Sequence, residues 1–356
     1  MSLVHASIRW IRRYLLSSQS LLTLLTIIVI YALFRQRSTF WSTIKKLRSK
    51  LRFSSTSSAS STDADDSADL TRKTKASWEL RKGNVGMYAI QGRRATMEDR
   101  FNVVTADQLE HTGTSIYGIF DGHGGQFAAD FVEKTLFKTI MVRLLKSALN
   151  GGPDNFSKLL TDEILYVDKQ LLSVEKLTNE ASGTTALVML LRNGILTVAN
   201  VGDSRAVLYT DDDKLMPLSF DHKPHQLKER KRIKDAGGFI SFNGVWRVAG
   251  VLATSRALGD YPLKDKNLII ADPDILTFDL NEIKPQFMIL ATDGLWDMFS
   301  NEEAVAYIRE RLDEPHFGAK SIVLQAYYRG SLDNITVIVV NFLANQASVV
   351  RRGSTA

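Results

Sequence analysis

The sequence predicts an α+β body, with antiparallel sheets packed together and helices outside, preceded by one membrane-spanning helix. Three observations point there. Short apolar runs bounded by Gly, Asn and Asp turns alternate with two long amphipathic stretches, so strands and helices are segregated rather than strictly alternating. An uncharged run of 20 residues, Leu15 to Phe34, stands near the start. The charge is also split: residues 1–77 carry 13 Lys/Arg against 4 Asp (+9), leaving 32 basic and 35 acidic residues (−3) for the remainder.

The leader comes first. Twenty helical residues rise about 30 Å, the thickness of bilayer hydrocarbon. Trp10 and Tyr14 before the run, and Phe40 and Trp41 after it, suit interfacial belts. No small-x-small cleavage site follows, because the run leads into Phe34-Arg35-Gln36-Arg37, which disfavours a secretory signal. A buried helix lacks a partner layer, since Ser54–Ser67 is a Ser/Thr/Asp-rich linker. Seven basic residues follow the run (Arg35 to Arg52) and three precede it (Arg9, Arg12, Arg13), so the body is expected to face the cytosol, with the endoplasmic reticulum as the expected membrane. A mitochondrial presequence stays open as the alternative, because the first 62 residues hold no Asp or Glu and are rich in Arg and Ser. The organisation read here is 1–14 a short leader, 15–34 the anchor, 35–82 a basic then Ser/Asp-rich linker, 83–343 the body, and 344–356 a tail.

Within the body, Val85–Ile90, Phe101–Val104 and Ser115–Phe120 read as strands, the last ending in Asp-Gly-His-Gly-Gly. Helices are expected near Phe127–Ala148 and Phe156–Leu177, separated by the breaker Asn150-Gly151-Gly152-Pro153. Thr184–Leu191, Ile195–Val201 and Arg205–Tyr209 form a dense β region turned at Asn193-Gly194 and Asp211-Asp212-Asp213. His225–Ala236 reads as a charged helix closed by Gly237-Gly238, and Phe239–Val248 as a hairpin around Asn243-Gly244. Phe287–Ala291 is a strand, and Ser300 with Glu303 caps a helix Asn301–Leu312. A helix Ala319–Tyr328 and a strand Ile335–Phe342 close the body.

The chemistry-bearing residues are carboxylates. Asp121 and Asp293 directly follow apolar strands, Asp203 follows Leu196–Gly202, Asp260 follows Gly259, and Asp333 precedes the last strand. One Asp-Gly alone is more often a turn. Several strand tips delivering hard oxygens to one place would suit Mg²⁺ or Mn²⁺. There is no cysteine, which excludes a disulfide framework, a thiolate nucleophile and a cysteine zinc site. A basic leader on an acidic body argues against general nucleic-acid binding.

Eight motifs then resemble one family. They are Arg94-Ala95-Thr96-Met97-Glu98-Asp99, Phe120-Asp121-Gly122-His123-Gly124-Gly125, Ser182-Gly183-Thr184-Thr185 and Asn200-Val201-Gly202-Asp203-Ser204-Arg205. Asp221-His222-Lys223-Pro224, Ser255-Arg256-Ala257-Leu258-Gly259-Asp260, Asp293-Gly294-Leu295-Trp296-Asp297 and Asp333-Asn334-Ile335-Thr336 complete the set. In this order and spacing, from Asn84 to Phe342, the chain resembles the metal-dependent protein phosphatases of the 2C type, and with its leader their membrane-bound 1-like branch. Leu332 departs from the small or polar residue common before Asp333.

The resemblance implies a four-layer αββα sandwich and hydrolysis of phosphoserine and phosphothreonine in proteins by direct attack of a metal-bound hydroxide. It implies that Asp121 bridges two Mg²⁺ or Mn²⁺ ions, with the Gly122 carbonyl, Asp260, Asp293 and Asp333 holding them. Glu98 and Asp99 would act through waters, and Asp203 with Asp260 would bind a weaker third ion. Arg94 would receive the phosphate, although Arg93 beside it is separated only by alignment. His123 would protonate the leaving oxygen. His222, His225 and Lys228–Lys234 read as a solvated helix face near the family's flap, and Trp296 as core. A monomer is expected. The rival readings are a phosphoprotein-binding pseudophosphatase, which a lost ligand would signal, and a membrane adaptor.

Overall fold

The computed structural model describes residues 76–109, 112–150 and 155–344. The expected anchor, the linker up to residue 75 and the tail from 345 lie outside the described residues. Among the described residues no helix is long and apolar enough to cross a membrane.

In chain order the strands are β1 Ser77–Lys82, β2 Val85–Ile90, β3 Arg100–Val104, β4 Thr114–Phe120 and the short β5 Gly122–His123. Next come β6 Gly183–Thr184, β7 Ala186–Arg192, β8 Ile195–Val201, β9 Arg205–Thr210 and β10 Leu215–Pro217. The last are β11 Ile240–Asn243, β12 Val245–Val248, β13 Leu258–Gly259, β14 Asp274–Asp279, β15 Pro285–Ala291 and β16 Ile335–Asn341. The helices are α1 Phe127–Asn150, α2 Phe156–Thr178, α3 Leu227–Asp235, α4 Tyr261–Lys264, α5 Leu280–Ile283, α6 Asp293–Trp296, α7 Asn301–Arg309 and α8 Ala319–Tyr328.

Two antiparallel sheets carry the fold, one ordered β1-β2-β16-β15-β9-β10 and the other β14-β8-β7-β4-β3. Side chains alternate across each strand, so every central strand serves two apolar layers. On β4, Ile116 and Phe120 face α1 and α2, while Tyr117 and Ile119 face the other sheet. On β15, Met288 and Leu290 enter the space between the sheets, while Phe287, Ile289 and Ala291 meet α7 and α8. Burial on both faces is why these strands read as unbroken apolar runs rather than alternating ones. The layers are therefore α1/α2, sheet, sheet, α7/α8: the expected sandwich of antiparallel sheets flanked by helices.

Boundaries fall within a few residues of expectation, and the Ser300–Glu303 capping box is present. Among the elements that differ, four stand out. Ser77–Lys82, assigned to the linker, is an edge strand paired with β2. β14 was not anticipated and pairs with β8. Asp293-Gly294 opens the helical turn α6 rather than a simple turn. The charged segment is helical only over Leu227–Asp235, and its Glu229 and Ile233 are buried.

Candidate active site

Register places the carboxylates at one end of the sandwich. In the antiparallel pair β3/β4, Arg100 faces Phe120, so Asp99 and Asp121 leave the sheet at the same edge. In β15/β16 and β15/β9, Ala291 faces Val337 and Arg205, which brings Asp293, Asp333 and Asp203 to the matching edge of the other sheet. The two edges are stitched together by Asp99, whose Oδ2 accepts from Thr292 Oγ1 at 2.9 Å and Thr336 Oγ1 at 2.7 Å.

The backbone around Asp121 is fixed by the Ser182–Thr185 segment. Thr185 Oγ1 accepts from the Asp121 N–H at 3.0 Å, while the Thr185 N–H and Thr184 Oγ1 both donate to the Asp121 carbonyl. Gly183 is required there, because a Cβ would collide with the carboxylate of Asp260 and the ring of His123. His123 Nε2 lies 3.0 and 2.9 Å from the two Asp260 oxygens. Asp260 itself is left-handed, with φ 59°, as the N-cap of α4.

The loop from Gln91 to Glu98 is held by Asn334. Its Nδ2 donates to the carbonyls of Gln91 and Thr96, and its Oδ1 accepts from the Glu98 N–H at 2.7 Å. Glu98 in turn accepts from Thr96 Oγ1 and from the Gly125 N–H. The structure separates the two arginines. Arg93 stacks over the Tyr327 ring at 4.2 Å and donates to the Tyr327 and Ser331 carbonyls. Arg94 reaches the cluster, with Nη2 2.6 Å from Asp333 Oδ2 and its side chain 56% exposed.

The electrostatics follow from crowding of like charge. Burial, then the charges of Asp293, Asp99, Asp333 and Asp203, push the Asp121 carboxyl well above the ordinary carboxylate range. Asp293 is raised similarly by burial and then Asp203, against the opposing pull of Lys223. Asp99 is pushed up to about 7, chiefly by burial and against the hydrogen bond from Thr336. Asp293 nevertheless keeps 26% of its side chain exposed, so the cluster is the floor of an open cleft. Burial works to lower the pKa of both His123 and Lys223, but Asp260 raises the first, and Asp203 with Asp293 raises the second.

Among the described residues no three His, Asp or Glu side chains already form a metal-holding group. Cationic side chains engage the carboxylates instead: Arg94 on Asp333, Lys223 on Asp203 at 2.5 Å, and His123 on Asp260. The donor set is nonetheless oxygen-only, anionic and mutually repelling, and a hard divalent cation would relieve that repulsion. The residues fit such an ion.

Sequence reasoning missed Lys223, Asn334, Thr292 and Thr336, although all but Thr292 lie inside the motifs. It also misplaced His222, which is not on a solvated face: it is 3% exposed, its Nδ1 accepts from the Gly202 N–H at 3.0 Å, and its Nε2 lies 3.2 Å from Asp274. His225 is exposed as expected, its ring against Trp246, and Trp296 is buried. Leu332 is 72% exposed and displaces nothing. A cavity of about 370 Å³ lined by Arg205, Asp221, Lys223, His225 and Asn301 opens beside Lys223. A larger one, about 770 Å³, lies at the other end of β16 and holds none of the candidate ligands.

The model of a family described as "Protein phosphatase 2C" matches residues 83–335. Over 275 residues the chain is 56% identical to "Protein phosphatase 1L" of Bos taurus, spanning 77% of this chain and 76% of that protein. It is 42% identical over 274 residues to "Probable protein phosphatase 2C 59" of Arabidopsis thaliana, spanning 77% and 84%. The crystal structure of serine-threonine phosphatase 2C from Toxoplasma gondii is similar in fold, with a TM-score of 0.65 at 23% identity, covering 75% of this chain and 99% of that one.

Proposed function

The chain belongs to the protein phosphatase 2C family and is a protein-serine/threonine phosphatase, and from that premise we propose that it works on phosphoproteins at a membrane, with Mg²⁺ or Mn²⁺ held by the carboxylate cluster. It falls in the 1-like branch. The observation that carries the metal assignment is the convergence of Asp99, Asp121, Asp203, Asp293 and Asp333 on one cleft, where burial and the neighbouring carboxylate charges raise the pKa of Asp99, Asp121 and Asp293.

Asp121, the Gly122 carbonyl, Asp260, Asp293 and Asp333 would hold two ions, with Glu98 and Asp99 acting through waters and Asp203 serving a weaker third with Asp260. When bound, such ions supply Lewis acidity that makes water nucleophilic near neutral pH and offsets phosphoryl charge. The rest falls to the side chains. Arg94 presents a planar fork of N–H donors at the solvent edge of the cleft, suited to a phosphate dianion. His123 holds a proton on the Asp260 side of the cleft and delivers it to the serine or threonine oxygen as the ester bond breaks. Asp293 keeps 26% of its side chain exposed, so the attacking group can be water, and no side-chain nucleophile is needed, in keeping with the absence of cysteine. The run Leu15–Phe34 supports membrane attachment, with the catalytic body on the cytosolic side and the endoplasmic reticulum as the membrane.

The test is phosphate release from a phosphoserine peptide by the full chain in detergent, with and without added Mn²⁺. Turnover is expected only with metal and is expected to vanish in Asp121→Ala and Asp293→Ala. Turnover that survives exhaustive chelation would overturn the metal assignment, and peptide binding without turnover would favour a pseudophosphatase.

A further inference from the structure

Behind Asp260, away from the open cleft, two carboxylates of α2 grip the turn that presents it. Asp168, Leu171 and Glu175 lie at i, i+3 and i+7, one face of a helix. Asp168 Oδ1 accepts from the Gly259 N–H at 2.9 Å and from Lys264 Nζ at 3.0 Å, and Lys264 also donates to the Ala257 carbonyl. Glu175 Oε2 accepts from the Tyr261 N–H at 3.2 Å. The residues on either side of Asp260 are thus each held through the backbone by a different carboxylate. The approach is tight: a Cβ on Gly259, whose φ is +80°, would sit 2.6 Å from Glu175 Oε1 and 3.1 Å from Leu171 Cδ2.

This arrangement is costly for the fold alone. Glu175 is fully buried, and its Oε1 has no hydrogen-bond partner among the described residues. Burial pushes its carboxyl up to about 8. An apolar residue would fill the position without that penalty. What the two carboxyl groups supply is oxygen acceptors for the backbone on both sides of a residue in the left-handed region, where a non-glycine side chain is strained.

We infer that Asp168 and Glu175 are positioning residues, which lock the Gly259–Tyr261 turn so that the Asp260 carboxylate is held ready for a divalent cation and for His123. The inference rests on the proposed role of Asp260 as a metal-holding group. Outer partners that orient ligands in this way typically change metal affinity by about 10–100-fold when removed.

The experiment compares the full chain carrying Glu175→Ala, Glu175→Asp and Glu175→Gln. Mn²⁺ binding is read directly by electron paramagnetic resonance of free Mn²⁺, beside thermal melting and phosphopeptide kinetics at saturating Mn²⁺. Glu175→Ala and Glu175→Asp are expected to weaken Mn²⁺ binding by about 10-fold or more, with little change in KM for the peptide. Glu175→Gln, which keeps an acceptor for the Tyr261 N–H, is expected to bind Mn²⁺ much as the native chain does, well short of the roughly 10-fold loss. Mn²⁺ binding by folded Glu175→Ala equal to the native chain overturns the inference. So does a Gln variant as weak as the Ala variant, or loss of the fold in all three, since the carboxylate would then support the domain rather than the turn. A native chain that neither binds nor needs Mn²⁺ would instead sink the functional reading beneath it.

Discussion

Arg94 and Asp333 meet at 2.6 Å at the solvent edge of the cleft, joining the loop after β2 to the turn before β16. The pair is exposed enough for a phosphate to compete for the guanidinium, whereas Arg93 is spent on Tyr327 and Ser331. Arg94→Ala is expected to lower kcat/KM for a phosphopeptide by about 10–100-fold, the equivalent of one or two charge-assisted hydrogen bonds. Arg94→Lys should recover only part of that, because an ammonium lacks the planar fork. Arg93→Ala should instead lower the melting temperature and leave kcat/KM within a few-fold. Steady-state kinetics beside thermal melting separates the two, and the reverse pattern would exchange their roles.

His123 owes its proton to Asp260. Burial alone would lower its pKa, but the facing carboxylate outweighs it and the group is raised above 6.5. The proton is therefore retained below that raised value and lost as pH rises through it. Stability from the pair is likewise fully present below 6.5 and fades across the same rise. The alkaline limb of kcat/KM on a phosphoserine peptide is expected above pH 6.5 and should disappear in His123→Ala, with turnover reduced about 10²–10⁴-fold. An aryl phosphate, whose leaving group needs no proton, should lose much less. Equal losses on both substrates would mean that His123 only supports the turn.

Glu229 provides a test away from the cleft. It is 1% exposed and bridges Arg256 at 2.7 Å and Arg232 at 3.0 Å, tying α3 to the segment that leads to Asp260. Burial would raise its carboxyl, but the two guanidinium groups win and hold it at about 2 against an ordinary 4.5. Its contribution is thus complete above pH 4.5 and is lost as pH falls toward 2. Glu229→Ala leaves Arg256 buried without this partner, so a loss of about 3–5 kcal/mol is expected at neutral pH by denaturant unfolding. The difference from the native chain should narrow on acidification below 4.5. A constant difference across that range would show that packing, not charge, is responsible.

The parts of the molecule legible in sequence are those set by local pattern. Val85–Ile90 and Ala319–Tyr328 match their expected limits because apolar spacing and flanking turn residues define them within the segment. Ser77–Lys82 does not, since its residues are mostly exposed and only pairing with β2 makes it a strand. β14, on the edge of the other sheet, is half-buried and likewise becomes a strand through pairing, with β8. Asp121, Asp203, Asp260, Asp293 and Asp333 were readable because each sits at or near the end of an apolar run, whereas Glu98 and Asp99 were reached only through the resemblance. Their supports were not. Nothing near Thr292 or Thr336 in the sequence says that both bind Asp99, nor that His222 is buried against Gly202. Arg93 and Arg94 are indistinguishable by spacing and differ only in what the fold puts beside them.

The remaining expectation concerns the leader. Leu15–Phe34 is uncharged and long enough to span a bilayer, and its seven downstream basic residues favour retention of the C-terminal side in the cytosol. The first strand of the body begins at Ser77, so more than 40 residues separate the run from the fold. Deleting residues 1–60 removes the run without touching any described element, and is expected to release the protein from membranes in flotation assays. Its rate on a small phosphate ester should be nearly unchanged. The rate on a membrane-resident phosphoprotein should fall, because tethering keeps enzyme and substrate at a high effective concentration on one surface. Protease added outside intact microsomes should digest the body of the full-length chain. Protection until the membrane is opened would reverse the orientation, and import with removal of the leader would favour the mitochondrial alternative, because a presequence is cleaved whereas an anchor is kept.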